Sequence, residues 1–383
     1  MARQVRGRLI RAYNRPVKNH FGSRYDRAVL LSYITMPFRR GASVLHTNSL
    51  EVLEIARVFD ELGYQVDAVE YDWDGRIDFR RYSVILGFGD PLIRSFYDRI
   101  RPIITIYYGT GMHVQHQNAA TLERVQDVFN RKGIWLLDSA RVVEKTYSVQ
   151  TTLVHAMIVL GNDTVLESYR KHYAGKIYTV SPSYYKVIEV NEVLDNKDFA
   201  TARRHFCWFG GPGMIHKGLD LLLETFKNLP GYNLHVCGPV EKEPRFQECF
   251  RQGLYHTENI HTHGFVRLDS PLFREILAMC AFIVFPSCSE GAPSSVINVM
   301  GNGGLIPVVT RETGVETGDF GVLIADTTLS AVRQAVLEAG SLEKEEVAQR
   351  SARCVEHTIC RHSIGAYYLQ MKNTIMAILG VPG

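Results

Sequence analysis

The alternation of short apolar runs with helical patterns along most of the chain constrains its fold more than any other feature. An apolar run from Ala28 to Ile34 is followed by a helical pattern from Asn48 to Leu62 and, after Gly63, by a second apolar run from Gln65 to Glu70. This order predicts a β–α–β unit. The pattern continues through apolar runs and one charged helix (82–87, 103–108, 121–132, 154–160). A parallel sheet covered by helices is therefore expected.

The alternation starts again after a charged segment near Asp195 to Arg204. Five further apolar runs are separated by helical patterns (strands 206–209, 234–237, 260–262, 282–285 and 306–310; helices 217–229, 271–279 and 294–302). Because 383 residues exceed what one hydrophobic core usually supports, two domains are expected. The sequence thus predicts an α/β protein with two doubly wound, Rossmann-like domains facing across a cleft, where ligands bind at the carboxyl ends of the strands.

Four segments follow from these patterns. They are a basic leader (1–27), a first domain (28–185), a second domain (186–358), and a terminal segment (359–383) whose helix, Ile364 to Leu379, is placed to cross back onto the first domain.

Composition limits the class of protein and its compartment. The chain is 46% hydrophobic and 22% charged, as folded globular proteins are, and its net charge of +3 is too small to indicate nucleic-acid binding. The seven cysteines all lie in the second half without a C-x-x-C pair, which favours buried thiols in a reducing cytoplasm. No apolar stretch approaches the roughly 20 residues of a membrane span, and no signal peptide is recognised. We expect a cytoplasmic protein.

The leader concentrates positive charge among apolar residues. This pattern is typical of an amphipathic helix on an anionic membrane surface, which would place the protein peripherally at the inner face of the membrane. A solvated leader explains the pattern equally well. The charged residues concerned are Arg3, Arg6, Arg8, Arg11, Arg15 and Lys18.

The segment from Phe209 to Asp220 runs from a strand end through glycines to a predicted helix that opens at Lys217. Glycines let a diphosphate approach the backbone, and a helix N-terminus with a cation holds its charge. The segment is not a P-loop, because no Ser or Thr follows a G-K pair. It is not a Rossmann fingerprint either, because the third glycine position of G-x-G-x-x-G falls on His216. A glycine-rich turn with a surface lysine is the alternative.

A second segment, Phe285 to Asn298, again joins a strand to a helix through small residues. We expect Ser294 or Ser295 to cap this helix and the loop amides to bind phosphate. Glu290 is suited to hydrogen bonding with sugar hydroxyls, because a carboxylate accepts several bonds. A solvated loop acid is the alternative.

Together these two motifs resemble the retaining glycosyltransferases of GT-B fold, glycosyltransferase family 4 or group 1 type. The resemblance implies that Lys217 holds the donor diphosphate, that Glu290 contacts the transferred sugar, and that the first domain binds the acceptor and the second the nucleotide sugar. The implied donor-binding residues are Gly211, Gly213, His216, Gly291, Ala292, Pro293, Ser294, Ser295, Val296 and Asn298.

Two positions depart from the family pattern. Asn298 stands eight residues after Glu290, where the family usually has a second glutamate that reads the ribose. Pro212 stands where the family usually has a phosphate-binding arginine. Asparagine has a neutral acceptor, so ribose binding is expected to be weaker or differently arranged, and His216 or a basic residue elsewhere is left to compensate for the arginine.

In the first domain, His113 follows a predicted strand in a segment that also resembles bacterial members of the family. Enzymes of this type often place a histidine near the donor sugar, so His113 is the candidate for a catalytic role. A structural histidine is the alternative.

No metal site is expected. Asp72-Trp73-Asp74 matches the metal-binding D-x-D motif. It lies far along the chain from the segments that carry Lys217 and Glu290, so a turn is the better interpretation. We expect His261 and His263 to face opposite sides of a strand, which would make them poor joint ligands. The only co-substrate implied is the nucleotide-diphosphate sugar.

The sequence thus predicts a retaining, metal-independent hexosyltransferase of polysaccharide biosynthesis type, which moves a sugar to a hydroxyl of a glycan, lipid-linked or other acceptor. Two alternatives stay open: a nucleotide-sugar-binding subunit that has lost catalysis, and a sugar-nucleotide epimerase.

Overall fold

Two six-stranded parallel sheets form the framework of the protein in a computed structural model that describes residues 15–44, 46–98 and 102–381. The first sheet has the order β2-β1-β3-β4-β5-β6 and consists of β1 Arg27–Tyr33, β2 Tyr64–Glu70, β3 Val84–Gly87, β4 Ile104–Gly109, β5 Ala156–Leu160 and β6 Lys176–Val180. The second has the order β12-β11-β10-β7-β8-β9 and consists of β7 His205–Phe209, β8 Asn233–Cys237, β9 Ile260–Gly264, β10 Phe282–Phe285, β11 Ile306–Thr310 and β12 Val322–Ile324. The predicted fold class is confirmed.

Sixteen α-helices of the described residues surround the sheets. Those before the second sheet are α1 Pro37–Arg40, α2 Asn48–Glu61, α3 Asp90–Tyr97, α4 Val114–Lys132, α5 Gln150–Leu153, α6 Asp163–Arg170, α7 Val190–Leu194 and α8 Phe199–Ala202. The later ones are α9 Leu219–Phe226, α10 Pro244–Cys249, α11 Arg251–Tyr255, α12 Pro271–Met279, α13 Ser294–Gly303, α14 Leu329–Ser341, α15 Lys344–His362 and α16 Ile364–Leu379.

The central strands are recognisable in the sequence because helices cover both faces of each sheet. Every residue of β5, β10 and β11 is buried, so these strands are continuous apolar runs. Edge strands are less distinct: β6 begins with an exposed lysine and has partly exposed side chains, and β12 has three residues. The sequence pattern did not predict β6 or β12 for that reason.

Helices cross between the two sheets. Tyr367, Met371 and Ile375 of α16 pack in the core beneath the first sheet, although this helix follows the second sheet in the chain. Conversely, Val125 and Val128 of α4 belong to the core of the second sheet. The interface between the two halves is therefore built from hydrophobic core residues.

Buried ion pairs reinforce this interface. Arg124 of α4 donates two hydrogen bonds, of 2.9 and 2.7 Å, to the carboxylate of Asp220 on α9. Arg131 donates a third, of 2.6 Å, to the same carboxylate. Because Asp220 is fully buried, these bonds fix α4 against the second domain.

Arg3, Arg6, Arg8 and Arg11 of the predicted leader lie outside the described residues. The rest of the leader contacts the first sheet: Val17 forms an antiparallel bridge with Ala68, and Nζ of Lys18 lies 2.9 Å from the buried carboxylate of Asp67. Lys18 is thus engaged within the fold. No helix in the described part of the chain is long and apolar enough to cross a membrane.

Candidate active site

The candidate active site lies where the loops after β7 and β10 meet. These strands are neighbours in the second sheet, so the loops at their carboxyl ends are adjacent. Lys217 of the first loop and Glu290 of the second form an ion pair, with side chains only 7% and 10% exposed. The two residues singled out in separate motifs are therefore in direct contact.

A second cation reaches Glu290 from the first domain. One guanidinium nitrogen of Arg141 lies 3.3 Å from both carboxylate oxygens of Glu290. Burial alone would raise the pKa of Glu290, but the charges of Lys217 and Arg141 outweigh burial and lower this pKa to about 2. Glu290 is therefore an ionised carboxylate in a buried position.

The turn that carries Lys217 differs from the prediction. Helix α9 begins at Leu219 rather than at Lys217, because Gly218 adopts a left-handed conformation with φ of +70° as the residue before the helix. A Cβ at Gly218 would lie 2.3 Å from the carbonyl oxygen of Pro286. Only glycine lets the two loops approach this closely, and the lysine stands in the turn before the helix.

The glycine-rich loop uses its amides internally. Glu243, which is buried, accepts hydrogen bonds from the backbone N–H groups of Gly213 and Met214. Gly213 has a φ of +98°, and a Cβ there would lie 2.7 Å from the side-chain methylenes of Arg141. Gly211 is partly exposed. In this conformation the loop bonds to a protein carboxylate through the amides expected to receive a phosphate.

His216 joins the two loops rather than lining open space. Its ring is fully buried, and Nε2 lies 2.5 Å from the carbonyl oxygen of Ser289 and 3.8 Å from Oε1 of Glu290. Its own carbonyl accepts hydrogen bonds from the N–H of Cys288 and the hydroxyl of Ser287. Burial lowers the pKa of His216 to about 4, so the ring is uncharged at neutral pH.

The loop after Glu290 is pressed against the first domain. A Cβ at Gly291 would lie 2.8 Å from Cα of Gly111 and 3.0 Å from the carbonyl oxygen of Leu160. Ala292 has a φ of +53°, and its N–H donates to the carbonyl of Thr313. The loop that carries Glu290 therefore lies at the interface between the domains.

Helix α13 starts without the predicted serine cap. Pro293 is the residue before the helix, Ser294 and Ser295 are its first two residues, and no side chain in the described ranges caps it. Both serines are partly exposed, whereas Val296 is buried. Because the first N–H groups of a helix lack intrahelical partners, this end can receive an anion.

Asn298 contacts the segment that links the domains. Its Oδ1 accepts a hydrogen bond of 2.8 Å from the backbone N–H of Tyr185. Asn302, one turn later, accepts bonds from the N–H groups of Val187 and Ile188. Asn298, which the family resemblance places at the ribose of the donor, therefore also binds the segment that links the domains.

His113 lies beneath the surface of the first domain. It is 1% exposed and precedes helix α4, where its Nδ1 accepts from the N–H of Gln115 and its Nε2 lies 3.1 Å from the hydroxyl of Thr151. The ring stacks on His172 at 4.0 Å, and burial lowers its pKa to about 4. Both ring nitrogens are thus engaged within the first domain, and the catalytic role of His113 stays a prediction.

The residues considered as metal ligands are arranged as follows. Asp72 to Asp74 lie in the turn region after β2. The prediction that His261 and His263 face opposite sides was wrong, because residues two apart on a strand share one face. Nε2 of His263 lies 3.1 Å from Nδ1 of His235, and the His261 ring stacks on His235 at 4.8 Å. In residues 15–44, 46–98 and 102–381, no group of histidines, cysteines and carboxylates is arranged to hold a metal ion.

Sequence reasoning missed Arg141 and Glu243. Neither belongs to a motif: Arg141 lies in an irregular stretch of the first domain, and Glu243 lies between two short helical turns. A buried carboxylate beside a glycine loop and a cation from another domain become visible only once the chain is folded.

Comparisons with known proteins agree with this architecture. Residues 203–340 match the sequence model of the glycosyl transferases, group 1. No curated protein matches the chain by sequence. The structure of sucrose-phosphate synthase from Thermosynechococcus elongatus aligns with a TM-score of 0.63 and 12% identity, over 93% of this chain and 99% of that one.

Two further solved structures are similar in fold. HepE from Anabaena, in complex with UDP and glucose, aligns with a TM-score of 0.57 and 12% identity over 92% of this chain and 100% of that one. The α,α-trehalose 6-phosphate synthase from Burkholderia multivorans aligns with a TM-score of 0.55 and 10% identity, over 92% of this chain and 100% of that one. At these identities the likeness concerns the fold.

Two parallel sheets with paired loops at the carboxyl ends of β7 and β10 define a protein of GT-B architecture. Within this architecture, the second domain carries the match to the glycosyl transferases, group 1.

Proposed function

We propose that the chain is a retaining glycosyltransferase that moves a sugar from a nucleotide-diphosphate sugar to a hydroxyl of a glycan, lipid-linked or other acceptor, without a metal ion. The observation that carries the proposal is the meeting of Lys217, Glu290 and the uncapped start of α13 at one corner of the second domain. Family 4 membership and a role in polysaccharide biosynthesis belong to the same proposal.

Each part of this corner suits one part of a nucleotide sugar. A diphosphate is an anion, for which Lys217 and the N-terminus of α13 offer positive charge. A sugar presents hydroxyl donors, for which the ionised Glu290 offers acceptors. The complex of the similarly folded HepE with UDP and glucose supports this choice of donor class.

The proposed reaction exchanges one bond at the anomeric carbon. The bond to the leaving phosphate oxygen breaks, and a bond to the acceptor hydroxyl oxygen forms on the same face of the sugar. The hydroxyl proton passes to the leaving diphosphate. Stabilising the charge on that diphosphate is then the main catalytic task, and protein cations can perform it without a divalent ion.

The decisive experiment incubates the protein with a panel of nucleotide sugars, with and without acceptors. Nucleoside diphosphate released only with acceptor supports a transferase, and NMR of the product's anomeric proton then distinguishes retention from inversion. An unchanged rate in EDTA supports metal independence. An isomerised sugar without transfer would instead identify an epimerase.

A binding subunit without catalysis is the second candidate. It is favoured by Asn298, whose Oδ1 is engaged by the N–H of Tyr185 at the position where the family resemblance implies a ribose-reading glutamate. Nucleotide-sugar binding without turnover, across all acceptors in the panel, would support this candidate and overturn the transferase.

Replacing the lysine tests the assignment of the diphosphate. Lys217→Ala removes a buried cation, so we expect donor binding to weaken by at least about tenfold, as is typical of a lost charge-assisted hydrogen bond. Isothermal titration with the nucleoside diphosphate measures this change. Unaltered affinity in a folded variant would place the diphosphate elsewhere.

A further inference from the structure

The side chain of Arg141 reaches across the domain boundary into the candidate donor site. Its backbone belongs to the first domain, where its N–H donates to the hydroxyl of Thr121 and its carbonyl accepts from the amide of Gln117. Both partners lie on helix α4. The ion pair between α4 and α9 holds α4 against the second domain. The backbone of Arg141 is therefore fixed relative to the loops after β7 and β10.

The path of the side chain places its charge at the site. Its methylenes pass over Gly213, where a Cβ would clash with them, and its guanidinium ends beside Glu290. The side chain is 45% exposed, so one side of it faces solvent. It can therefore turn towards a ligand without unfolding its surroundings.

The charges at this corner do not balance. Lys217 and Arg141 contribute two cations, whereas Glu290 contributes one anion. His216 is uncharged at neutral pH. The corner therefore has a surplus positive charge, to which the N-terminus of α13 adds. An anion is the complementary ligand.

The other charged groups near this corner have partners of their own. Arg124 and Arg131 are bound to Asp220, and Glu243 is bound to the amides of the glycine loop. Since those amides are occupied, the side-chain cations are better placed than that loop's backbone to bind a diphosphate.

Resting on the proposed function, we propose that Arg141 is a donor-binding residue, supplied by the first domain, whose guanidinium turns from Glu290 to the donor diphosphate. In this exchange the diphosphate takes over the cations that Glu290 now holds. The carboxylate is thereby released to accept hydrogen bonds from the sugar. Binding of the donor then also ties the two domains together through one side chain.

The test compares nucleoside diphosphates with their monophosphates, since only the former present the second phosphate. Affinities of UDP, GDP and ADP, and of UMP, GMP and AMP, are measured by isothermal titration for the wild type, Arg141→Ala and Arg141→Lys. For the best-bound nucleoside, Arg141→Ala should weaken diphosphate binding by about tenfold or more and monophosphate binding by less than about twofold. Arg141→Lys should fall between wild type and alanine.

The control variant is Arg170→Ala, which removes an arginine that is 56% exposed and paired with Glu167 on the surface of the first domain. It should bind like the wild type. Thermal unfolding verifies that every variant is folded.

Two results would overturn the assignment of Arg141. Either an unchanged diphosphate affinity or an equal loss for diphosphate and monophosphate would show that Arg141 only supports the fold. A wild type that binds no nucleoside diphosphate would instead overturn the proposed function, so the two failures are distinguishable.

Discussion

Glu51 of the first half and Glu290 of the second are both buried near the interface between the domains, and the two are held in opposite ways. Glu51 of α2 accepts hydrogen bonds from the N–H and hydroxyl of Ser183, and burial raises its pKa to about 7. Glu290 is paired with Lys217 and Arg141, which lower its pKa to about 2 despite burial.

The difference separates a structural carboxyl group from a candidate functional one. Glu51 binds the linker with hydrogen bonds alone, so burial favours its neutral form. Glu290 stays ionised because cations from two domains surround it, and ionised buried groups of this kind cluster at functional sites. Burial by itself therefore does not distinguish the two glutamates, whereas the pairing of Glu290 with one cation from each domain does.

The largest expected effect is on Glu290. Glu290→Ala should lower transfer by at least about a hundredfold, because it removes a charged contact to the reacting sugar. Initial rates with a saturating donor and acceptor measure the loss. Wild-type activity in this variant would place the sugar elsewhere and break the comparison.

Glu51→Gln should change stability rather than activity. Since the pKa of Glu51 is raised from 4.5 to about 7 in the folded protein, the wild type loses stability as pH rises between these values. The variant, which does not titrate, should avoid that loss and be more stable at pH 8 by roughly 1–3 kcal/mol. Urea unfolding at acidic and alkaline pH tests this, with the exposed Glu167→Gln as control. Parallel pH profiles of Glu51→Gln and wild type would contradict it.

The variant His113→Asn tests whether the buried His113 has a structural role, like Glu51, or a functional role, as proposed for Glu290. The variant keeps a residue suited to the start of α4 but loses the stack on His172 and the contact with Thr151, so stability should fall by about 1 kcal/mol. If His113 has only a structural role, turnover should change by less than about threefold. A loss of turnover near a hundredfold at unchanged melting temperature would instead establish a catalytic His113.

The smallest effect is expected at Asn298. If its amide reads the ribose, Asn298→Ala should raise the donor KM by about two- to fivefold with little change in kcat. Asn298→Asp, which keeps an acceptor for the N–H of Tyr185, is the matched comparison. An unchanged KM in both variants would show that Asn298 does not bind the ribose and only contacts the segment that links the domains.

Sequence patterns were most informative where structure is local. The predicted limits of β10, α12, β11 and α16 agree with the structure, because burial on both faces or a sustained helical period leaves a clear pattern over a few residues. The edge strands β6 and β12 left no such pattern, and the start of α9 depended on the approach of Pro286 to Gly218.

By itself, the sequence determined the α/β class, the two repeated alternations and the pair of loops that carry Lys217 and Glu290, since these follow from periodicity and short motifs. Only the tertiary structure decided that Arg141 completes this corner, that Glu243 occupies the loop amides, and that Asn298 holds the linker. These contacts join residues 29 to 149 positions apart. Their free energy depends on burial and distance, which the order of residues does not contain.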